Sequence, residues 1–143
     1  MALYKLYFDG ACGPVNPGGT AKYGFALFKE GVAEPIETGH GTIGTGQGMT
    51  NNLAEFHALW HGLMAFYLKV RDETGNTVNC FGDSKLVVQI MNRKWNARPG
   101  MPYYSGYDSA NKLFNTLKKL GNTISFNWIP REQNQRCDDL SKM

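Results

Sequence analysis

The period of the apolar residues changes along this chain, and the first change limits the folds open to it. Before residue 45 the apolar residues form short β-type runs: Leu3, Tyr4, Leu6, Tyr7 and Phe8 ending at Asp9, then residues 23–28 (YGFALF), then a weaker run over 35–43. Residues 10–19, rich in Gly and Pro, read as a loop, and GTGQG closes the third run as a turn. From residue 53 to 68 the period becomes 3.6, with Phe56, Leu59, Trp60, Leu63, Phe66 and Tyr67 along one side. Thr50, Asn51 and Asn52 supply cap chemistry just before it. Strand and helix then alternate: a short strand over 78–81, a helix over 85–92, an irregular stretch (WNARPGMPYYSG), a helix over 107–120, a strand over 123–129 and a short helix over 131–141 entered after Pro130. The order β-β-β-α-β-α-α-β-α predicts an α/β fold: a mixed five-stranded sheet, antiparallel in its first three strands and parallel afterwards, flanked by helices. The last helix is too short to stand alone and must dock, through residues such as Cys137 and Leu140.

With 143 residues and no repeat or low-complexity linker, residues 1–143 are expected to form one domain. No apolar run approaches the roughly 20 residues that cross a bilayer, and the amino terminus lacks the layout of a secretory leader, so a cytoplasmic protein without a membrane partner is expected. Cys12, Cys80 and Cys137 are odd in number and scattered, which points to reduced thiols. A net charge of +3 permits a polyanionic partner without requiring one.

Four carboxylates sit where this topology can bring them together. Asp9 ends the first strand, Asp83 ends the fourth, and Glu55 lies in the first turn of the long helix at the border of its apolar stripe. In open α/β sheets ligands collect beside the carboxyl ends of strands. The fourth acid is on the last helix, where periodicity does not choose between Asp138 and Asp139. Each has an ordinary alternative: Asp9 a turn, Glu55 a favourable helix dipole, Asp83 a cap for the helix after it, Asp138 a solvated surface. Held together, such carboxylates repel, and hard divalent cations with their preference for oxygen ligands are the usual compensation. His57 and His61 do not join this set, lying about 160° and 120° round the helix from Glu55; they read as boundary histidines. Gly44, Gly46 and Gly48 lack the strand-then-helix setting of a dinucleotide fingerprint.

Four segments, FDGACGPVNPGG, TNNLAEFHAL, GDSKLVVQ and REQNQRCDDLS, resemble in order and spacing the type 1 ribonuclease H family, over nearly the whole chain. The resemblance implies a ribonuclease H-like fold and endonucleolytic cutting of the RNA strand of RNA–DNA hybrids, without regard to base sequence, leaving 5′-phosphate and 3′-hydroxyl ends. It assigns Asp9, Glu55, Asp83 and Asp138 as catalytic metal ligands, with the motif N-x-R-C-D-x-L selecting Asp138. Two Mg²⁺ ions about 4 Å apart would bracket the scissile phosphate, with Mn²⁺ as a substitute. Asp9 and Asp83 would be the central ligands, and Glu55 and Asp138 would each complete one shell. Cys12, Asn16, Asn51 and Asn52, together with Glu55, match positions that read the 2′-hydroxyl, and Thr50 matches one that grips a DNA-strand phosphate.

Two departures stand out. The loop NWIPREQN has no histidine where well-studied members place one; Arg131 is the nearest substitute and, being permanently charged, would help electrostatically and not as a proton shuttle. The basic helical protrusion of many relatives is also missing. Between residues 92 and 107 only Arg93, Lys94 and Arg98 with Trp95, Tyr103 and Tyr104 remain, a mix that suits either a channel for the DNA strand or a packed surface loop. No obligate protein partner is evident and a monomer is expected. Two other readings remain at this point: a nuclease of the same fold cutting DNA, and a hybrid-binding module with little activity.

Overall fold

A computed structural model describes residues 1–143. Three strands open the chain: β1 (Leu3–Gly13), β2 (Thr20–Lys29) and β3 (Glu37–Thr45). They are followed by α1 (Asn51–Val70), β4 (Thr77–Gly82), α2 (Lys85–Met91), α3 (Tyr104–Lys119), β5 (Thr123–Trp128), a 3-10 turn (Arg131–Gln133) and α4 (Gln135–Ser141). The strands form one sheet in the order β3-β2-β1-β4-β5. The β1–β2 and β2–β3 pairs are antiparallel, and the β1–β4 and β4–β5 pairs are parallel. The expected mixed sheet is therefore present. No helix is long and apolar enough to cross a membrane.

Strand alternation sorts the two faces. Tyr4, Leu6 and Phe8 of β1, with Leu27 and Phe25 of β2 opposite Leu6 and Phe8, point to one side and join Phe56, Leu59, Leu63 and Phe66 of α1 in the core. Trp60 and Tyr67, on the same stripe, are only half-buried at its edge. Thr50 caps α1, its side chain accepting a hydrogen bond from the Leu53 N–H at 3.1 Å. On the opposite face α4 lies against β2 at Gly24, where an added Cβ would come within 2.6 Å of Leu140 Cβ. That closeness seats Cys137, which is fully buried.

Three boundaries differ from expectation. The loop expected over 10–19 shrinks, because β1 runs on to Gly13 and β2 starts at Thr20; ladder hydrogen bonds carry these small residues where no apolar alternation marks them. α3 begins at Tyr104, with Gly106 inside the helix and packed on Phe56 and His57. The last helix is split, because the 3-10 turn uses up residues 131–133 before α4 starts at Gln135.

Candidate metal centre

The site grows from an unequal pairing at the middle of the sheet. β4 follows β1 only as far as the Tyr7–Phe81 pair and ends at Gly82, while β1 continues with β2 alone. Asp9 lies on this one-sided stretch, and Asp83 is the first residue beyond β4. This is the switch point between the antiparallel and parallel halves of the sheet, where such folds open a crevice. The start of α1 closes the third side. It comes so near that a Cβ on Gly10 would collide with the Ala54 carbonyl carbon and the Glu55 nitrogen, so only glycine fits there. The Gly10 N–H donates both to Asp9 Oδ1 at 2.9 Å and to Glu55 Oε1 at 3.1 Å, binding strand and helix at one point.

One oxygen from each of Asp9, Glu55 and Asp83 lies within 4.8 Å of the others. Asp9 and Glu55 are buried and Asp83 half-buried. Burial, followed by the charges of Asp83 and Asp138, drives Asp9 up from 3.8 to about 6, even though Glu55 hydrogen-bonds to it. Burial and then the Asp9 charge push Glu55 well above the ordinary carboxylate range, and burial also raises Asp83. Glu55 Oε2 is buried with no hydrogen-bond partner. An all-oxygen set short of positive charge, with one orphaned oxygen, fits a hard divalent cation.

Asp138 stands outside that triple. Its residue is buried and Asp139 beside it is exposed, so the helix turns Asp138 and not its neighbour inward. Arg131 Nη2 donates to Asp138 Oδ1 at 3.3 Å and Lys142 Nζ donates to Oδ2 at 3.1 Å. Burial would raise this carboxyl, but the Lys142 hydrogen bond and the Arg131 charge outweigh it and hold Asp138 below its ordinary value. Arg131, the expected stand-in for a loop histidine, is thus a partner of Asp138 with a largely exposed side chain.

Ser84, not Asp83, caps α2, its hydroxyl accepting from the Val87 N–H at 3.3 Å. The Asp83 carboxylate is left to the site, and its backbone carbonyl accepts from Trp128 Nε1–H at 3.2 Å.

The expected substrate-contact residues divide into two groups. The Cys12 N–H donates to Asn51 Oδ1 at 2.7 Å, and the Asn51 N–H donates to Asn16 Oδ1 at 3.0 Å, so the β1–β2 connection and the start of α1 form one chain of contacts. Thr50 lies between them as the α1 cap. Asn52 instead faces Trp95 across a groove of about 590 Å³ that Leu86, Arg98, Met101 and Tyr103 also line. Within residues 92–107 Tyr103 is buried and its hydroxyl accepts from the Arg98 N–H at 3.0 Å, while Trp95 remains 47 % exposed. His57 and His61 are boundary residues, as expected; burial lowers both, and His61 stacks on Tyr23 at 4.2 Å. The three cysteines are free.

Two site residues had no role in the sequence reading. Asn134 is buried, donates from Nδ2 to the Phe8 carbonyl at 2.8 Å and lies near enough to Asp83 to favour its charged form. Its signal was its place one turn before Cys137 and Asp138 in N-x-R-C-D-x-L. Lys142 could have been found as the i+4 neighbour of Asp138.

Comparison with known proteins agrees with this geometry. The sequence model of the Reverse transcriptase-like family matches residues 37–143. Among solved structures, ribonuclease H1 from the halophilic archaeon Halobacterium salinarum is 28% identical with a TM-score of 0.77, over 98% of this chain and 95% of that one. The N-terminal ribonuclease H domain of a Mycobacterium tuberculosis protein is 26% identical with a TM-score of 0.81, over 99% and 92%. LC11-RNase H1, solved in complex with an RNA/DNA hybrid, shares the fold at a TM-score of 0.83 and 23% identity, over 97% and 94%. With its sheet order, its acidic cluster and these matches taken together, the chain belongs to the Reverse transcriptase-like family and is ribonuclease H1-like.

Proposed function

We propose that this chain is an endonuclease that hydrolyses the RNA strand of RNA–DNA hybrids, leaving 5′-phosphate and 3′-hydroxyl ends. The observation that carries the reading is the convergence of Asp9, Glu55 and Asp83 within 4.8 Å, with Glu55 Oε2 buried and unpartnered. Similarity to a ribonuclease H1 solved with such a hybrid supports the substrate class. Asp9 and Asp83 are the central ligands for two Mg²⁺ ions, with Glu55 and Asp138 at the flanks. Bound there, the ions would lower the pKa of an attacking water and stabilise charge on the leaving 3′ oxygen.

The protein's own groups hold and orient the substrate. Asn16 and Asn51 use their Oδ1 atoms inside the structure, which turns their exposed amide N–H groups toward solvent as donors for 2′-hydroxyl or phosphate oxygens. The Thr50 hydroxyl accepts from Leu53 and keeps its own hydrogen for a DNA-strand phosphate, so cap and contact coexist. The groove between Asn52 and Trp95 offers an indole face for the DNA strand. None of these groups reads a base edge, so cutting is indifferent to sequence.

A gel assay tests this with labelled hybrid, duplex DNA and duplex RNA, each with Mg²⁺ and with chelator. Only the RNA strand of the hybrid should be cut, and only with metal. Asp83→Asn should lower the rate at least roughly a hundredfold, as loss of a group facing developing charge does, while its metal-free melting temperature rises because one repelling charge has gone. Cutting of duplex DNA would make this a DNA nuclease, binding without cutting would make it a hybrid-binding module, and a fully active Asp83→Asn would end the mechanism.

A further inference from the structure

Of the four acids, Asp138 is the one that cationic side chains bond directly. Both its oxygens are engaged by cations, Oδ1 by Arg131 and Oδ2 by Lys142, whereas Asp9 and Glu55 have only the Gly10 N–H and each other. The two cations differ in how they are held. Arg131 comes from the 3-10 turn before α4. Lys142 is the residue that ends α4, one helical turn after Asp138, and its backbone N–H bonds the last carbonyls of that helix. Its position is thus fixed relative to Asp138 by the helix itself. Its side chain is 58 % exposed, while that of Asp138 is 9 % exposed, so the ammonium can swing into water and the carboxylate cannot follow.

We infer that Lys142 is a built-in competitor of the second divalent cation: it occupies Asp138 in the metal-free protein, and the ion that takes Asp138 must first displace it. This rests on the metal-centre reading above and adds to it a residue that sets how much metal completes the centre. An ammonium and a divalent cation cannot share one carboxylate oxygen without strong mutual repulsion, and an ammonium with three rotatable donors is released more readily than a planar guanidinium fork. The ion held by Asp9, Glu55 and Asp83 meets no such rival, because no lysine or arginine bonds to those side chains. The two ions are therefore held with unequal strength, the weaker one against Lys142.

Thermal unfolding against Mg²⁺ concentration, without nucleic acid, tests this on the intact chain in four forms: unsubstituted, Lys142→Gln, Asp138→Asn and the double variant. Lys142→Gln should reach half of its metal-induced stabilisation at about two- to fivefold lower Mg²⁺, the weight of one exposed ion pair. Its metal-free form should melt at a lower temperature than the parent. Lys142→Arg, which keeps the charge, should restore most of the parent's metal requirement. In the Asp138→Asn background, the same Lys142→Gln change should leave the Mg²⁺ requirement where it was. An unaltered requirement in Lys142→Gln overturns the proposal, and so does an equal shift with Asp138→Asn present, since Lys142 would then act only through overall charge. A parent chain that Mg²⁺ does not stabilise at all would remove the metal centre itself, a different and recognisable result.

Discussion

The middle of α1 and its amino-terminal end meet the same strand with opposite balances. In the middle, Phe56, Leu59, Leu63 and Phe66 lie against Tyr4, Leu6 and Phe8, all buried, and every apolar surface finds another. Near the start of the helix, Glu55 is also buried but faces two more carboxylates and keeps an oxygen without a partner. One helix thus supplies both a large share of the core and the buried acid in conflict with its neighbours. The lesson is that the conflict is sustained by its neighbour: the rigid apolar turns hold Glu55 where solvent and dispersal would otherwise take it.

Removing the supporting half should have the largest effect. Phe66→Ala empties a fully buried site whose ring lies 5.1 Å from Tyr4, and should cost about 3–5 kcal/mol in denaturant unfolding. A loss well below that range would mean the two turns are not mechanically linked in this way. Gly10→Ala probes the junction between the halves. The added methyl group meets the backbone of Ala54 and Glu55 and should cost about 1–3 kcal/mol, with a sharp fall in Mg²⁺ affinity as Glu55 moves off. Unchanged Mg²⁺ affinity in a destabilised variant would separate packing from site geometry.

The smallest effect is the pH dependence of the metal-free protein. Asp9 binds its proton up to about pH 6 in the folded state and only to about 3.8 when unfolded. Across that interval the folded form holds more protons, so stability should be full below it and fall as pH rises through about 6, by no more than about 1.4 kcal/mol per pH unit for one group. Glu55 acts in the same direction. Asp138 acts in the other, because its lowered value makes its contribution fade as pH falls below the ordinary carboxylate range. Melts in chelator from pH 4 to 8 would show the decline, and Mg²⁺ should flatten it. A metal-free protein that gains stability across pH 4 to 6 would contradict the picture of uncompensated acids.

How much of this was legible in the letters varies with the kind of force involved. The order of elements and the α1 stripe could be read because burial leaves a periodic trace in residue type. The hairpin ends of β1 and β2 could not, since backbone pairing of Gly10, Ala11, Cys12 and Gly13 leaves no such trace. The start of α3 was hidden by Gly106, which sequence counts as a breaker and the fold uses as a contact point with Phe56. Asp83 was readable from a strand end and Glu55 from a helix start; Asp9 was expected to end β1 but lies inside it, where β4 has already stopped, and the three meet. Asp138 was singled out by its motif, but the arms of Arg131 and Lys142 around it depend on side-chain directions at the chain's end that no period reports.

Asn134 joins its amide to the carbonyl of Phe8 across a separation of 126 residues. A ribosome releases Phe8 well before Asn134. The growing polypeptide can therefore build its sheet and its long helix in advance, yet the cleft lacks one wall until Asn134 and α4 emerge and bond back onto β1.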